Sequence, residues 1–202
     1  PYTTLFRSDL IVVAFGTNTA FDLYRMHDDP DVSLEAVTER LARYQVQFDR
    51  LLARYNSAAP NASCLVMLPP DTAPERDNER CRRRVEVRGE EICIPSTIRN
   101  FEGVVAAQRT AARRHDCAIW NQSKAMGGEG SMRHWRAVKP PLAQSDGVHL
   151  TMDGYHVLAD AFFSDLMQTY RSWRDRKGSP LGTRRIDIGS RLQSLRRSSG
   201  PR

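Results

Sequence analysis

The stretch DLIVVAFGTN, from Asp9 to Asn18, decides the fold. It holds an unbroken apolar run between a polar residue and a Gly-Thr-Asn turn, which predicts a strand buried inside a parallel sheet. Open α/β sheets bind their ligands at the carboxyl ends of such strands. Asn18 lies at that end, where its amide could donate a hydrogen bond to a developing oxyanion. It could equally serve only the geometry of the turn, since Asn tolerates turn conformations.

Further periodic segments follow this strand along the chain. Apolar runs at 62–68 and 117–120 predict two more strands. Apolar residues at three- and four-residue intervals predict a helix capped by Ser33 and running to Tyr55, a helix capped by Ser96, and a last helix ending near Tyr170. Residues 22–31, 72–95 and 125–135 are predicted to be loops. The alternation of strands and helices predicts an α/β fold.

A second stretch, Ser145 to Thr151, carries an acid and an imidazole three residues apart. On a short turn that opens a helix, Asp146 and His149 could both face one cleft. His149 could then take a proton from a nucleophile, while Asp146 holds the ring in one tautomer and stabilises the imidazolium. An Asp-x-x-His pair also occurs by chance on many loops, so the spacing alone leaves both interpretations open.

Together the two stretches resemble the SGNH/GDSL hydrolase family. Gly16-Thr17-Asn18 matches the family's Gly-x-Asn block, and Asp146 to His149 matches its Asp-x-x-His block, followed by Leu150-Thr151 and Gly154-Tyr155. The resemblance implies a three-layer α/β/α sandwich on a parallel, flavodoxin-like sheet and a serine esterase that needs no metal or other cofactor. It implies His149 as base, Asp146 as its partner, Asn18 as oxyanion donor and Gly16 as the motif glycine.

The chain departs from the family in two respects. Thr19 stands where many members have an acidic residue, and the Gly-Asp-Ser nucleophile block and the oxyanion glycine block are absent. Residues 1–8 resemble a translated sequencing adapter and are excluded from the fold prediction. We therefore expect a fragment with the first strands missing, in which 9–170 is the carboxyl-terminal portion of the hydrolase domain. Such a fragment should be inactive, and its exposed first strand should favour aggregation.

The loop 125–135 contains three glycines and the candidate substrate-binding residues Met132, His134 and Trp135. Similar loops occur in SGNH proteins that resemble peptidoglycan O-acetylesterases, which implies a short acyl group such as acetyl on a carbohydrate or peptidoglycan. A Trp in this setting can instead pack on the domain body. Ser131 is rejected as nucleophile because it lacks the strand-turn-helix context. The alternative function is a non-catalytic envelope polysaccharide-binding protein of the same fold.

Charge and cysteine content restrict the remaining possibilities. Residues 171–202 hold ten Lys and Arg against two Asp, so the chain's net charge of +6 is a property of this segment. Its Gly- and Ser-rich composition predicts a basic, disordered tail rather than a nucleic-acid site. No run is long enough to span a membrane. Cys81 and Cys93 could form a bridge, whereas Cys64 and Cys117 are expected to be core residues. This cysteine usage permits a periplasmic, secreted or envelope location, which is the location expected here.

Overall fold

The computed structural model describes the backbone of residues 8–73, 83–87, 90–94 and 101–178, with side chains for 8–73 and 101–176. The chain divides after Phe162 into two units. The described secondary-structure elements, in chain order, are β1 (Leu10–Ala14), α1 (Thr17–Asp28), α2 (Leu34–Ala58), β2 (Ser63–Leu68), β3 (Arg83–Val87), β4 (Glu90–Ile94), α3 (Phe101–Arg114), β5 (Ala118–Asn121), α4 (Gln122–Met126), α5 (Ser131–Ala137) and α6 (Met152–Gly178).

The first unit is built on a parallel sheet with the strand order β1-β2-β5. Val12 pairs with Leu65, and Leu65 pairs with Ala118, so three apolar stretches that are far apart in the chain lie side by side. Helices α1 and α2 connect β1 to β2, as parallel pairing requires a crossover. The predicted α/β fold on a parallel sheet is confirmed.

The two faces of the sheet are covered differently. Paired residues share a face, so Val13, Val66 and Ile119 point together into a core that α1, α2 and α3 close. On the other face Trp120 meets Phe162 of α6 edge to face, with ring centroids 5.0 Å apart. Helices on both faces give the predicted three layers.

Strand β1 forms one edge of the described sheet. Its residues Leu10 and Val12 point to the less covered face and are 48% and 47% exposed. An open apolar edge of this kind is a template for pairing with another chain. The aggregation expected of this chain is therefore consistent with the position of β1, and it stays a prediction.

Helix α2 begins as its sequence predicts. The Ser33 hydroxyl oxygen accepts a hydrogen bond from the Ala36 N–H, 3.1 Å away, and so satisfies one of the free donors of the first turn. The buried residues of this helix recur on one stripe: Val37, Tyr44, Phe48 and Leu52. This stripe joins the core shared with α1, α3 and the sheet.

Three segments predicted as irregular contain regular structure. Residues 22–28 belong to α1, because Ala20, Leu23 and Tyr24 place a buried stripe on a helix whose other positions are polar. Strands β3 and β4 form an antiparallel pair in which Val85 opposes Ile92. The glycine-rich loop gives way to α5 at Ser131. In each segment the apolar residues are few and the surrounding residues are mostly polar, so the sequence pattern indicates a loop.

The last helix, predicted to end near Tyr170, continues to Gly178 as α6. The rest of the predicted tail lies outside the described residues. In the second unit, Phe163, Leu166, Tyr170 and Trp173 recur on one side of this helix and are exposed. Among the described residues, none of the helices is long and apolar enough to cross a membrane.

A disulfide bond joins Cys64 to Cys117, with Cα atoms 4.6 Å apart. Cys117 is buried in the core and Cys64 packs against it, as expected, but the sequence analysis did not predict the bond between them. Parallel pairing of Leu65 with Ala118 brings the preceding residues of the two segments together, which a separation of 53 residues does not reveal. The predicted Cys81–Cys93 bridge cannot be compared with the structure, since Cys81 lies outside the described residues and only the backbone of Cys93 is described.

Candidate active site

The turn from Asp146 to His149 holds its acid and its imidazole in contact. Asp146 Oδ2 lies 2.6 Å from His149 Nδ1. The other carboxylate oxygen, Oδ1, accepts the backbone N–H groups of Val148 and His149 at 2.9 and 3.0 Å. Gly147 has φ 66°, a left-handed conformation that glycine adopts without strain, and it bends the chain so that these bonds can form together.

Hydrogen bonds to two neighbouring segments fix this turn in the domain. The Ala73 N–H donates to the Gly147 carbonyl at 2.9 Å, and the Gln144 N–H donates to the His149 carbonyl at 2.8 Å. Ala73 follows the carboxyl end of β2 by only a few residues. The Asp146–His149 pair therefore lies at the edge of the sheet where parallel strands end, which is the usual ligand edge of such folds.

The electrostatics of the pair suit a base and its partner. Partial burial alone would raise the pKa of Asp146, but the hydrogen bonds from His149 and Val148 and the charge of the His149 ring outweigh it and lower that pKa. An ionised carboxylate on Nδ1 leaves Nε2 of the ring as the free proton acceptor. The His149 side chain is 64% exposed, so this nitrogen is accessible from solvent.

Gly16 and Asn18 lie after β1, at the same edge of the sheet. Gly16 has φ 112°, and a Cβ there would lie 2.8 Å from Gln108 Nε2, so both conformation and space select glycine. Asn18 is exposed in the first turn of α1. With residues 14–19 and part of α2, it lines a cavity of about 450 Å³. An exposed amide beside a cavity could donate to a bound oxygen.

The structure places the residues of the glycine-rich loop differently from the prediction. Met132 is fully buried and Trp135 is 6% exposed, in a second core where Trp135 Nε1 donates to the Met126 carbonyl at 3.1 Å. Their side chains thus pack into the domain, as the alternative interpretation holds, and do not offer surface to a substrate. His134 is exposed on α5.

Ser131 and Asp71 form a structural link instead of a catalytic one. The Ser131 hydroxyl lies 3.4 Å from Asp71 Oδ2, which also accepts the Met132 N–H at 2.9 Å. Asp71 is fully buried and Ser131 is 7% exposed. Asp71 therefore anchors the start of α5 to the segment after β2. Among the described residues, no group of three or more His, Cys, Asp or Glu could hold a metal ion.

Gly154 is where the last helix packs against the loop that carries His149. A Cβ on Gly154 would lie 1.9 Å from the Leu142 carbonyl oxygen, a backbone atom held by the Thr151 N–H at 3.0 Å. We expect Gly154→Ala to lower the free energy of unfolding by about 3 kcal/mol, because the backbone must shift. Chemical denaturation of this chain measures the change.

Gly103→Ala provides the matched control, because Gly103 is also helical and its new Cβ would meet only the movable Leu41 Cδ2 at 2.7 Å. Its expected change is within about 1 kcal/mol, since the gain in helix propensity offsets the tighter contact. Equal losses in both variants would contradict the close packing at Gly154.

Comparison with known proteins supports the fold. No family model matches the sequence, and no curated protein matches it. The chain is similar in structure to a peptidoglycan O-acetylesterase, with 23% identity, a TM-score of 0.60, and coverage of 84% of this chain and 41% of that one. It thus spans less than half the length of that protein. At this identity the likeness shows a shared fold.

Two weaker similarities involve proteins with lipase-type names. A lipase/acylhydrolase from Enterococcus faecalis shares 16% identity, with 78% of this chain and 60% of that chain covered and a TM-score of 0.46. A structure assigned to a GDSL-like lipase from Parabacteroides merdae shares 14% identity, with 80% and 62% covered and a TM-score of 0.45. At these TM-scores neither adds to the fold assignment.

Proposed function

We propose that this chain is the carboxyl-terminal part of a serine ester hydrolase of the SGNH/GDSL type. The observation that carries the proposal is the 2.6 Å contact between His149 Nδ1 and Asp146 Oδ2, on a turn fixed at the ligand edge of a parallel sheet. An imidazole held by an ionised carboxylate, with its other nitrogen accessible, is the arrangement that activates a hydroxyl nucleophile. The fold shared with an esterase agrees with this chemistry.

In the proposed reaction the serine is supplied by residues that precede Asp9 in the complete protein. The serine oxygen attacks the ester carbonyl while its proton passes to His149 Nε2. Asn18 donates a hydrogen bond to the oxyanion, and His149 then protonates the departing alcohol. Water, deprotonated by His149, releases the acyl group as a carboxylic acid and restores the serine. Asp146 stabilises the imidazolium in both halves of the reaction.

The proposed substrate is a short acyl ester, such as acetyl on a carbohydrate or on peptidoglycan. The fold shared with a peptidoglycan O-acetylesterase supports this choice. The proposed location is the periplasm, the cell envelope or the exterior. The Cys64–Cys117 disulfide supports it, because disulfides persist mainly in oxidising compartments.

Hydrolysis assays on the complete protein test this proposal. We expect it to release p-nitrophenol from p-nitrophenyl acetate faster than from p-nitrophenyl octanoate, and to release acetate from O-acetylated peptidoglycan. The present chain without the preceding residues should be inactive in both assays. A complete protein that has a serine nucleophile block but hydrolyses none of these esters would favour the polysaccharide-binding alternative.

A further inference from the structure

Gln108 is an amide in the middle of the apolar core between α3 and the sheet. It is fully buried, among residues such as Val104, Val105 and Ala112. A buried amide is costly unless its hydrogen bonds are made. An apolar side chain at this core position would pack without that cost. We therefore expect the Gln108 amide to have a partner that accepts its hydrogen bonds.

The donors of Gln108 are directed at the turn after β1. Its Nε2 donates to the Phe15 carbonyl at 2.7 Å and to the Tyr44 hydroxyl at 2.9 Å. A carbonyl oxygen only accepts hydrogen bonds, so the contact with Phe15 fixes which end of the amide faces the turn. The opposite atom, Oε1, is buried and has no partner in the described part of the chain. The amide therefore serves through its NH2 group.

The turn that receives these bonds is the one that positions Asn18. Phe15 follows the last residue of β1, and the Gly16 carbonyl accepts the Ala20 N–H at 2.8 Å to start α1. Because a Cβ at Gly16 would meet Gln108 Nε2 at 2.8 Å, the glycine allows the amide to lie directly against the turn. A shift of the Phe15 carbonyl would move the first turn of α1 and with it Asn18.

Tyr44 holds the amide from the other side. Its ring is 7% exposed, and burial raises its pKa to about 12 despite the hydrogen bond with Gln108, so the hydroxyl stays protonated. Tyr44 also lines the cavity beside Asn18. Gln108 is thus fixed between α2 and the end of β1, with both of its N–H groups in use.

We propose that Gln108 is a positioning residue of the oxyanion site, which fixes the Phe15–Gly16–Thr17 turn and thereby the direction of the Asn18 amide. This rests on the proposed function, because Asn18 matters only if an oxyanion forms there. Misplacing a preorganised donor by a fraction of an ångström lowers the rate of the chemical step more than it weakens substrate binding.

The test compares Gln108→Met with Val105→Ala in the complete protein. Methionine keeps the length of glutamine and removes the donors, whereas Val105→Ala loosens the same helix and core without removing a bond to the turn. With p-nitrophenyl acetate, we expect Gln108→Met to lower kcat by about 10- to 100-fold with KM changed less than about 3-fold. Val105→Ala should keep kcat within about 3-fold. Tyr44→Phe, which keeps the core volume, should lower kcat by a smaller factor than Gln108→Met.

Hydrogen–deuterium exchange on the same variants gives an outcome that does not depend on activity. We expect exchange of residues 15–20 to become at least about 10-fold faster in Gln108→Met and to stay unchanged in Val105→Ala, since local opening reports the lost anchor. Equal kcat and equal exchange in the two variants would overturn the proposal. If the unsubstituted protein hydrolyses no ester, the proposed function fails. If residues 15–20 of Gln108→Met also exchange at the same rate as in the unsubstituted protein, the anchoring role of Gln108 fails as well.

Discussion

His149→Ala should abolish ester hydrolysis by the complete protein, lowering kcat by about 10⁴-fold or more. Without the imidazole no group takes the proton from the nucleophile, and only binding and oxyanion contacts remain. Because the His149 ring is 64% exposed, its loss should leave the fold intact. Initial rates with p-nitrophenyl acetate, together with the melting temperature of the variant, measure the two effects separately.

Asp146→Asn is the companion variant because it retains much of the turn. An Asn oxygen can still accept the N–H groups of Val148 and His149, while its NH2 group faces His149 Nδ1 and imposes the wrong tautomer. We expect a loss of about 10⁴-fold in kcat, similar to other triads changed in this way.

His156→Ala serves as the control, since its side chain is exposed and it belongs neither to the Asp146–His149 pair nor to the candidate substrate-binding residues. It should keep kcat within about 3-fold. Partial burial would raise the pKa of Asp146, but its hydrogen bonds from His149 and Val148 lower that pKa, so protonation of Asp146 should not limit activity until the pH falls below the usual range of an aspartate. Activity that persists in His149→Ala would remove the basis of the proposed function.

The parts of the molecule that the sequence predicts are those encoded by neighbouring residues. The first strand, the cap at Ser33 and the Asp146–His149 pair each lie within a short stretch, where apolar period, capping or turn geometry determines the structure. The carboxyl ends of β1 and β2 lie at one edge of the sheet because the two strands pair in parallel, which the alternation of strands and helices predicts.

The features that the sequence does not predict depend on which segments meet in space. The Cys64–Cys117 bond requires the pairing of β2 with β5. Trp135 and Met132 lie in a loop-like sequence, yet the buried carboxylate of Asp71 holds the start of α5 against the domain and places both in the core. The polar composition of the sequence likewise hides the helix at 22–28 and the antiparallel pair of β3 and β4.

Gln108 shows that a residue with a distant partner can be recognised as unusual from the sequence. It occupies a position of the apolar stripe of α3, where a fully buried polar side chain needs a partner. The pattern identifies the anomaly, but only the fold identifies the Phe15 carbonyl as its partner.

Removal of the Cys64–Cys117 disulfide should cause the largest loss of stability among these variants. The bond closes a separation of 53 residues, for which the chain-entropy model gives about 4 kcal/mol. We expect the Cys64→Ala/Cys117→Ala double variant to melt roughly 8–16 °C below the oxidised protein, given the usual entropy of unfolding at this size. Each single variant should fall nearly as far, because either substitution removes the whole bond.

Reduction of the unsubstituted chain provides the matched control. Reductant should lower its melting temperature to that of the double variant and leave the double variant unchanged. If reductant also lowers the melting temperature of the double variant, Cys81 and Cys93 form a second stabilising bridge. If the oxidised protein and the double variant melt at the same temperature, the bond adds nothing to stability.

Because the bond ties β2 to the start of β5, its loss should loosen β2, whose carboxyl end leads to Ala73, the anchor of the His149 turn. Activity of the complete protein should then fall at temperatures where the oxidised form is still fully folded.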